Sequence, residues 1–197
     1  MCPKGRGGSN PPSRTDHGVS PSLVSIRKST RRPTAGRLKA IARALLDAAP
    51  LCAIATVSPG GRAHVNTAYF AWSPRFEIVW LSAPEARHSR NLAHNGTTAI
   101  AVFDSRQTWG RRDRGIQLFG TAGEARGVAA RAAEQLYARR FRRYELGSLS
   151  GYRFYRFRPR SLKLFDEARL GGGLFVTVQV SPQGELSWLR TEEYTSD

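Results

Sequence analysis

The segment EARHSRNL (85–92) gathers the residue types that grip anions, with Arg87, His88, Ser89 and Arg90 inside one helical turn. At a helix start the first backbone N–H groups have no intrahelical acceptor and the dipole presents its positive end. A phosphate is drawn to such a turn, and a guanidinium can hold its oxygens bidentately. The chemistry predicted from these residues is capture of a phosphate-bearing ligand. The competing reading of the same four residues is a charged helix start facing water.

Other reaction classes lack their residues. No G-x-x-x-x-G-K-[ST] occurs, and no G-x-G-x-x-G follows a strand pattern. GSLSG (147–151) carries Leu149 where a nucleophile elbow needs serine. His17, His64, His88 and His94 form no H-E-x-x-H, and Cys2 and Cys52 are the whole cysteine complement, so no protein-ligated metal site is expected. Cys52 sits in a strand-like apolar run and reads as core. Asp166 and Glu167 read as surface or turn carboxylates, and no catalytic acid or base is nominated.

The elements that must position the anion-gripping turn follow from hydrophobic periodicity. Leu38, Ile41, Ala42 and Leu45 recur at helical spacing from Gly36 and predict a helix ending near Pro50. LCAIATV (51–57), HVNTAYFAW (64–72) and FEIVWLS (76–82) read as three strands of a meander joined at Ser58-Pro59-Gly60-Gly61 and Ser73-Pro74. A short helix over 84–94 ends at Asn95-Gly96, followed by strands at 97–103 and 115–122 around a polar loop, 104–113. A helix over 126–144 precedes strands at 152–157, 161–165, 174–180 and 185–190. Many short strands with few helices predict a mainly β fold, a barrel with peripheral helices.

The chain of 197 residues suits one domain. Lys plus Arg number 31 against 15 Asp plus Glu, a net charge of +16, which attracts phosphates, acidic ligands and nucleic acid alike. Residues 1–35 hold five prolines, four glycines, seven Lys/Arg and one Asp, and read as a disordered basic tail ahead of a domain over 36–197. The lack of a long apolar run, of a secretion signal and of a disulfide framework predicts a soluble cytoplasmic protein with no membrane partner.

The run from Leu51 to Asp104, with GIQLFGTA (115–122) after it, resembles the FMN-binding split barrels related to pyridoxamine 5′-phosphate oxidase. The likeness rests on the meander ending in Arg87-His88-Ser89 before a helix and on the later strand bearing Gly120. YRFRPRSLKLFDEARLGG (155–172) also resembles the end of the barrel in that family. The resemblance implies a homodimeric split β-barrel, FMN as cofactor, and oxidoreductase chemistry on a small-molecule substrate. It implies that Asn66 and Thr67 flank the flavin ring, while Leu81, Ser82, Arg87, His88 and Ser89 lie along the tail and phosphate. The family's oxidases carry an Arg early in the second strand and a Lys five residues later, where this sequence has Asn66 and Ala71. That departure leaves F420 or haem as alternative occupants of the groove.

Two further features have paired readings. Trp109, in the Arg-rich loop SRQTWGRRDR (105–114), either reaches the cofactor of a partner subunit or tips a surface loop. Nine Lys/Arg between 139 and 163 interleave with Phe141, Tyr144, Tyr152, Phe154, Tyr155 and Phe157. That pattern suits single-stranded nucleic acid, by stacking and phosphate contact, or an ordinary element with its rings inward and its arginines outward.

Overall fold

The computed structural model describes residues 24–196. The elements in chain order are β1 (Val24–Ser29), α1 (Ala35–Ala48), β2 (Leu51–Val57), β3 (Ala63–Trp72), β4 (Ile78–Ser82), α2 (Arg87–His94), β5 (Thr97–Phe103), β6 (Arg114–Glu124), α3 (Val128–Arg140), β7 (Arg153–Asp166), β8 (Leu174–Val180) and β9 (Leu186–Ser196). The strands pair in the order β1-β9-β8-β7-β4-β3-β2-β5-β6, and β6 pairs again with β7. That last ladder closes six antiparallel strands into a barrel, and β8, β9 and β1 extend the sheet beyond it. The fold is mainly β with peripheral helices, as the sequence predicts.

Alternation along the strands decides what faces inward. Cys52, Ile54 and Thr56 of β2, Ile100 and Val102 of β5, and Ile116 and Leu118 of β6 are all buried. The apolar face of α1, with Leu38, Ile41, Leu45 and Leu46 at most 4% exposed, joins the same core. Each of these side chains contributes about 2 kcal/mol by leaving water. A second, smaller cluster forms where α3 covers the outer side of Ala71, Val79 and Phe154.

β7 is one strand where two were expected. Pro159 lies inside it, and its missing N–H costs no closure here. The β6–β7 register shifts between Phe119 and Gly120, with Gly120 opposite Pro159. A Cβ on Gly120 would run into the Arg158 carbonyl, so glycine lets the two backbones meet at the bulge. Beyond this bend β7 changes neighbours on its other side, from β4 (Arg153–Phe157) to β8 (Ser161–Leu164).

Other boundaries move as well. The ordered domain begins at least 12 residues before the expected boundary at 36, because Val24–Ser29 forms β1 against β9. A Ser25–Thr195 hydroxyl contact of 2.8 Å accompanies the ladder, and the long-range partner outweighs the segment's polar composition. The remaining tail, residues 1–23, lies outside the described residues. The third meander strand starts at Ile78 and not at residue 76. Phe76 takes a left-handed φ of 63° in the β3–β4 turn, held there by complete burial and by stacking on Trp72. Finally, α3 ends at Arg140, where Phe141 and Tyr144 turn back onto Tyr137.

Candidate cofactor site

The cleft begins where β3 and β4 part. Only Phe70, Ala71 and Trp72 pair with β4, opposite Trp80, Val79 and Ile78. From Ala63 to Tyr69, β3 keeps its ladder with β2 and, among the described residues, has no strand on its other edge. Leu81 and Ser82 of β4 pair with β7 alone. The two arms of the hairpin therefore diverge and expose a run of main-chain donors and acceptors on β3. α2 follows β4 directly and packs back against β2, β3 and β6.

The polar residues of α2 fix it there. Asn91 donates to the Thr56 hydroxyl at 3.0 Å, both side chains being buried, and Leu92 enters the core. Ser89 donates to Ser82 at 3.4 Å, joining the helix start to the end of β4. His88 is buried edge-on against Tyr155, which stacks on Trp80. Its Nε2 has no hydrogen-bond partner among the described residues. Burial, and to a smaller extent the nearby imidazole of His64, hold the His88 pKa below the ordinary 6.5. The ring is therefore neutral at pH 7.

The helix start itself is open to an anion. Ala86, the N-cap residue, supplies no side-chain acceptor, and the first turn holds no acidic residue. Arg90 folds back onto the Glu85 carbonyl at 2.7 Å. Arg87 stands exposed, with no hydrogen-bond or ion-pair partner among the described residues.

The structure brings together only part of the expected site. Asn66 lies on the inward face of β3 with His64, and its Oδ1 is buried without a partner. Ser82, Arg87, His88 and Ser89 gather at the junction of β4 and α2. Thr67 faces the other side of β3, in a cavity of about 450 Å³ lined also by Leu51, Ala53 and Phe103. Leu81 turns its side chain to the α3 cluster, so its main chain alone borders the cleft. Trp109 is 99% exposed on the loop before β6, whereas α2 leads into Gly96, which bonds Ala122 at the far end of that strand.

His64, which the sequence reading did not single out, lines the same face of β3 as Asn66. The signal was the two-residue alternation of β3, which places 64, 66 and 68 on one face. In the basic and aromatic stretch most rings turn inward, whereas Tyr152 is exposed. Tyr137, Phe141, Tyr144 and Phe154 pack on one another, and Tyr155 and Phe157 are buried. Arg140 donates to the Leu46 and Ala49 carbonyls at 2.9 and 2.8 Å and covers the Phe70 ring, clamping the end of α1. Arg156 pairs with Glu77 at 2.6 Å. Asp166, read as a surface or turn carboxylate, is instead buried at the end of β7, where it accepts from the Arg169 N–H and serves structure. Cys52 is buried and its thiol pKa is pushed up to about 12, which leaves it inert.

These features fit a flavin mononucleotide. A planar ring can use the open edge of β3 and the orphaned Asn66 Oδ1, and a phosphate can use the uncapped start of α2 with Arg87 and Ser89. No helix among the described residues is long and apolar enough to cross a membrane.

Comparison with known proteins agrees with this fold. Among solved structures, a heme binding protein from Mycobacterium smegmatis aligns at 20% identity over 76% of this chain and 60% of its own, with a TM-score of 0.56. HutZ, the heme storage protein of Vibrio cholerae, aligns at 19% identity over 63% of this chain and 92% of its own, with a TM-score of 0.55. ChuZ of Campylobacter jejuni aligns at 12% identity over 81% and 64%, with a TM-score of 0.62. At these identities the likeness is one of fold. No curated protein matches by sequence. The family model for pyridoxamine 5′-phosphate oxidase matches residues 38–165, about two thirds of the chain, and spans the barrel, the cleft and α2. The chain is therefore a member of the pyridoxamine 5′-phosphate oxidase family, with the split barrel typical of its fold.

Proposed function

We propose that this protein is an FMN-dependent oxidoreductase acting on a small molecule as a two-fold homodimer. The observation that carries the reading is Arg87, exposed and without an ion-pair partner among the described residues, at an uncapped helix start beside the unladdered edge of β3. Arg87 and Ser89 hold the phosphate, Ser82 steadies Ser89, and the β3 main chain with Asn66 meets the ring edge. When bound, the flavin supplies hydride transfer, and the protein orients it and excludes water. No side chain of the cleft needs to act as acid or base for that role.

The dimer rests on a separate observation. Leu51, Val65, Tyr69, Phe103 and Phe119 are exposed on the outer face of the barrel, with the small residues Ala53, Ala55, Ala99 and Ala101 facing outward on the same strands. A face of this apolar character is suited to a second copy, which would bring Thr67 and the Trp109 loop to the partner's cofactor. Sedimentation at micromolar concentration showing monomer alone would refute it.

A second reading, haem, is favoured by the unpartnered Nε2 of His88, a neutral imidazole beside His64. The absorption spectrum of freshly purified protein separates the readings. Flavin bands support FMN, the different band of a deazaflavin points to F420, and a Soret band overturns both in favour of haem. Protein that stays colourless and binds none of the three overturns the enzyme reading.

A further inference from the structure

A second cavity lies on the sheet extension, away from the cleft between β3 and β4. It measures about 350 Å³, and among the residues that line it are Arg31, Arg32 and Arg37, over a floor of Leu170, Leu174 and Val176. No carboxylate lines it. None of the three arginines has an ion-pair partner among the described residues.

The positions of the arginines are built in. The buried Thr191 hydroxyl donates to the Arg31 carbonyl at 2.6 Å and accepts from the Trp188 indole at 3.0 Å, fixing the chain at Arg31. The Arg32 guanidinium lies over the Trp188 ring, 5.2 Å from its centre. Arg37 donates to the Arg169 carbonyl. Gly171, at φ +117°, makes room for the Arg31 guanidinium, since a Cβ there would lie 3.2 Å from Arg31 Nη1 and 3.1 Å from Leu174 Cδ1. The N-terminus of α1 is already capped by Thr34, so the positive character of the cavity comes from side chains.

Three like charges held around one cavity repel one another, and a dianion relieves that repulsion best. A phosphate monoester offers two charges and three terminal oxygens to guanidinium forks, where a carboxylate offers one charge and two. The apolar floor and the volume leave room for an organic group beyond the phosphate, at the lower end of small-molecule sites. We infer that the cavity between the start of α1 and the β8–β9 hairpin is a second, non-catalytic binding site for a small organic phosphate monoester. The site shares no residue with the cofactor cleft and does not depend on which cofactor that cleft takes.

Calorimetric titration of the full chain with phenyl phosphate tests this, with inorganic phosphate and benzoate as comparison probes. Saturable one-to-one binding of phenyl phosphate is expected, with each comparison probe at least tenfold weaker. Arg31→Gln with Arg32→Gln should weaken phenyl phosphate by about tenfold or more. Arg87→Ala should leave it unchanged, because a probe seated in the cofactor cleft would instead respond to that variant. These arginine side chains are exposed, and a melting curve verifies that the variants fold. Should the double variant unfold, Arg37→Gln, which keeps the contacts to Thr191 and Trp188, is expected to weaken binding in the same direction. Absence of saturation at millimolar probe, affinity unaltered by the arginine changes, loss of binding in Arg87→Ala, or equal affinity for inorganic phosphate or benzoate would each overturn the assignment.

Discussion

Two seams of the same barrel are built in opposite ways. Along β6 and β7 the register runs continuously from Arg114–Asp166 to Glu124–Tyr155, interrupted by one bulge. Along β3 and β4 it lasts three residue pairs before the strands separate. The first seam satisfies its backbone groups internally and closes the core. The second leaves the β3 edge unladdered and places polar side chains beside it, the arrangement a planar ligand with hydrogen-bonding edges can complete. If the open seam holds the proposed cofactor, substitutions at the two seams should fail in different ways.

The largest effect is expected at the closed seam. Gly120→Ala would press a methyl group into the Arg158 backbone, which cannot move without breaking the ladder. A loss of more than about 3 kcal/mol, or failure to fold, should appear in urea denaturation. A stability within 1 kcal/mol of the parent, by roughly the size of ordinary surface changes, would show that the seam tolerates bending.

At the open seam, Arg87→Ala should spare the fold and cost the ligand. Loss of one charge-assisted contact, about 1.5–3 kcal/mol, weakens FMN by about tenfold or more. Fluorescence titration of the apoprotein measures it, and unchanged affinity would remove Arg87 from the phosphate site.

A smaller effect concerns pH. The folded protein holds His88 neutral with its pKa below 6.5, while the unfolded chain protonates it normally. The unfolded state thus binds more protons as the solution is acidified, and stability is lost as pH falls through the ordinary histidine range toward the depressed folded value. His88→Asn should flatten the stability profile between pH 7 and about 5, relative to the ordinary histidine pKa. An unchanged acid limb would contradict the burial argument.

The smallest effect tests the α3 end of the molecule. Arg142→Gln with Arg143→Gln removes two exposed charges and should alter neither FMN occupancy nor stability by more than about 0.5 kcal/mol. Salt-sensitive binding of single-stranded DNA that disappears in this variant would revive the nucleic-acid reading of the stretch.

The legible parts were those that depend on neighbours in sequence. The α1 stripe from Leu38 to Leu45, the alternation of β2 and β5, and the Arg87-His88-Ser89 helix start follow from local periodicity and turn chemistry, and the structure contains each. The family likeness drew on the same local order of elements. Tertiary structure alone decided the rest. β1 exists because β9 offers it an edge across more than 160 residues of chain, which its own polar composition does not announce. β7 stays continuous through Pro159 because Gly120 of another strand accommodates the bulge. Arg140 became a clamp on α1 because that helix ends beneath it. Local sequence sets which conformations a segment favours and which face is apolar. The partner that satisfies a strand edge or a buried guanidinium is set by long-range closure, and in this protein closure also determines where the barrel stays open.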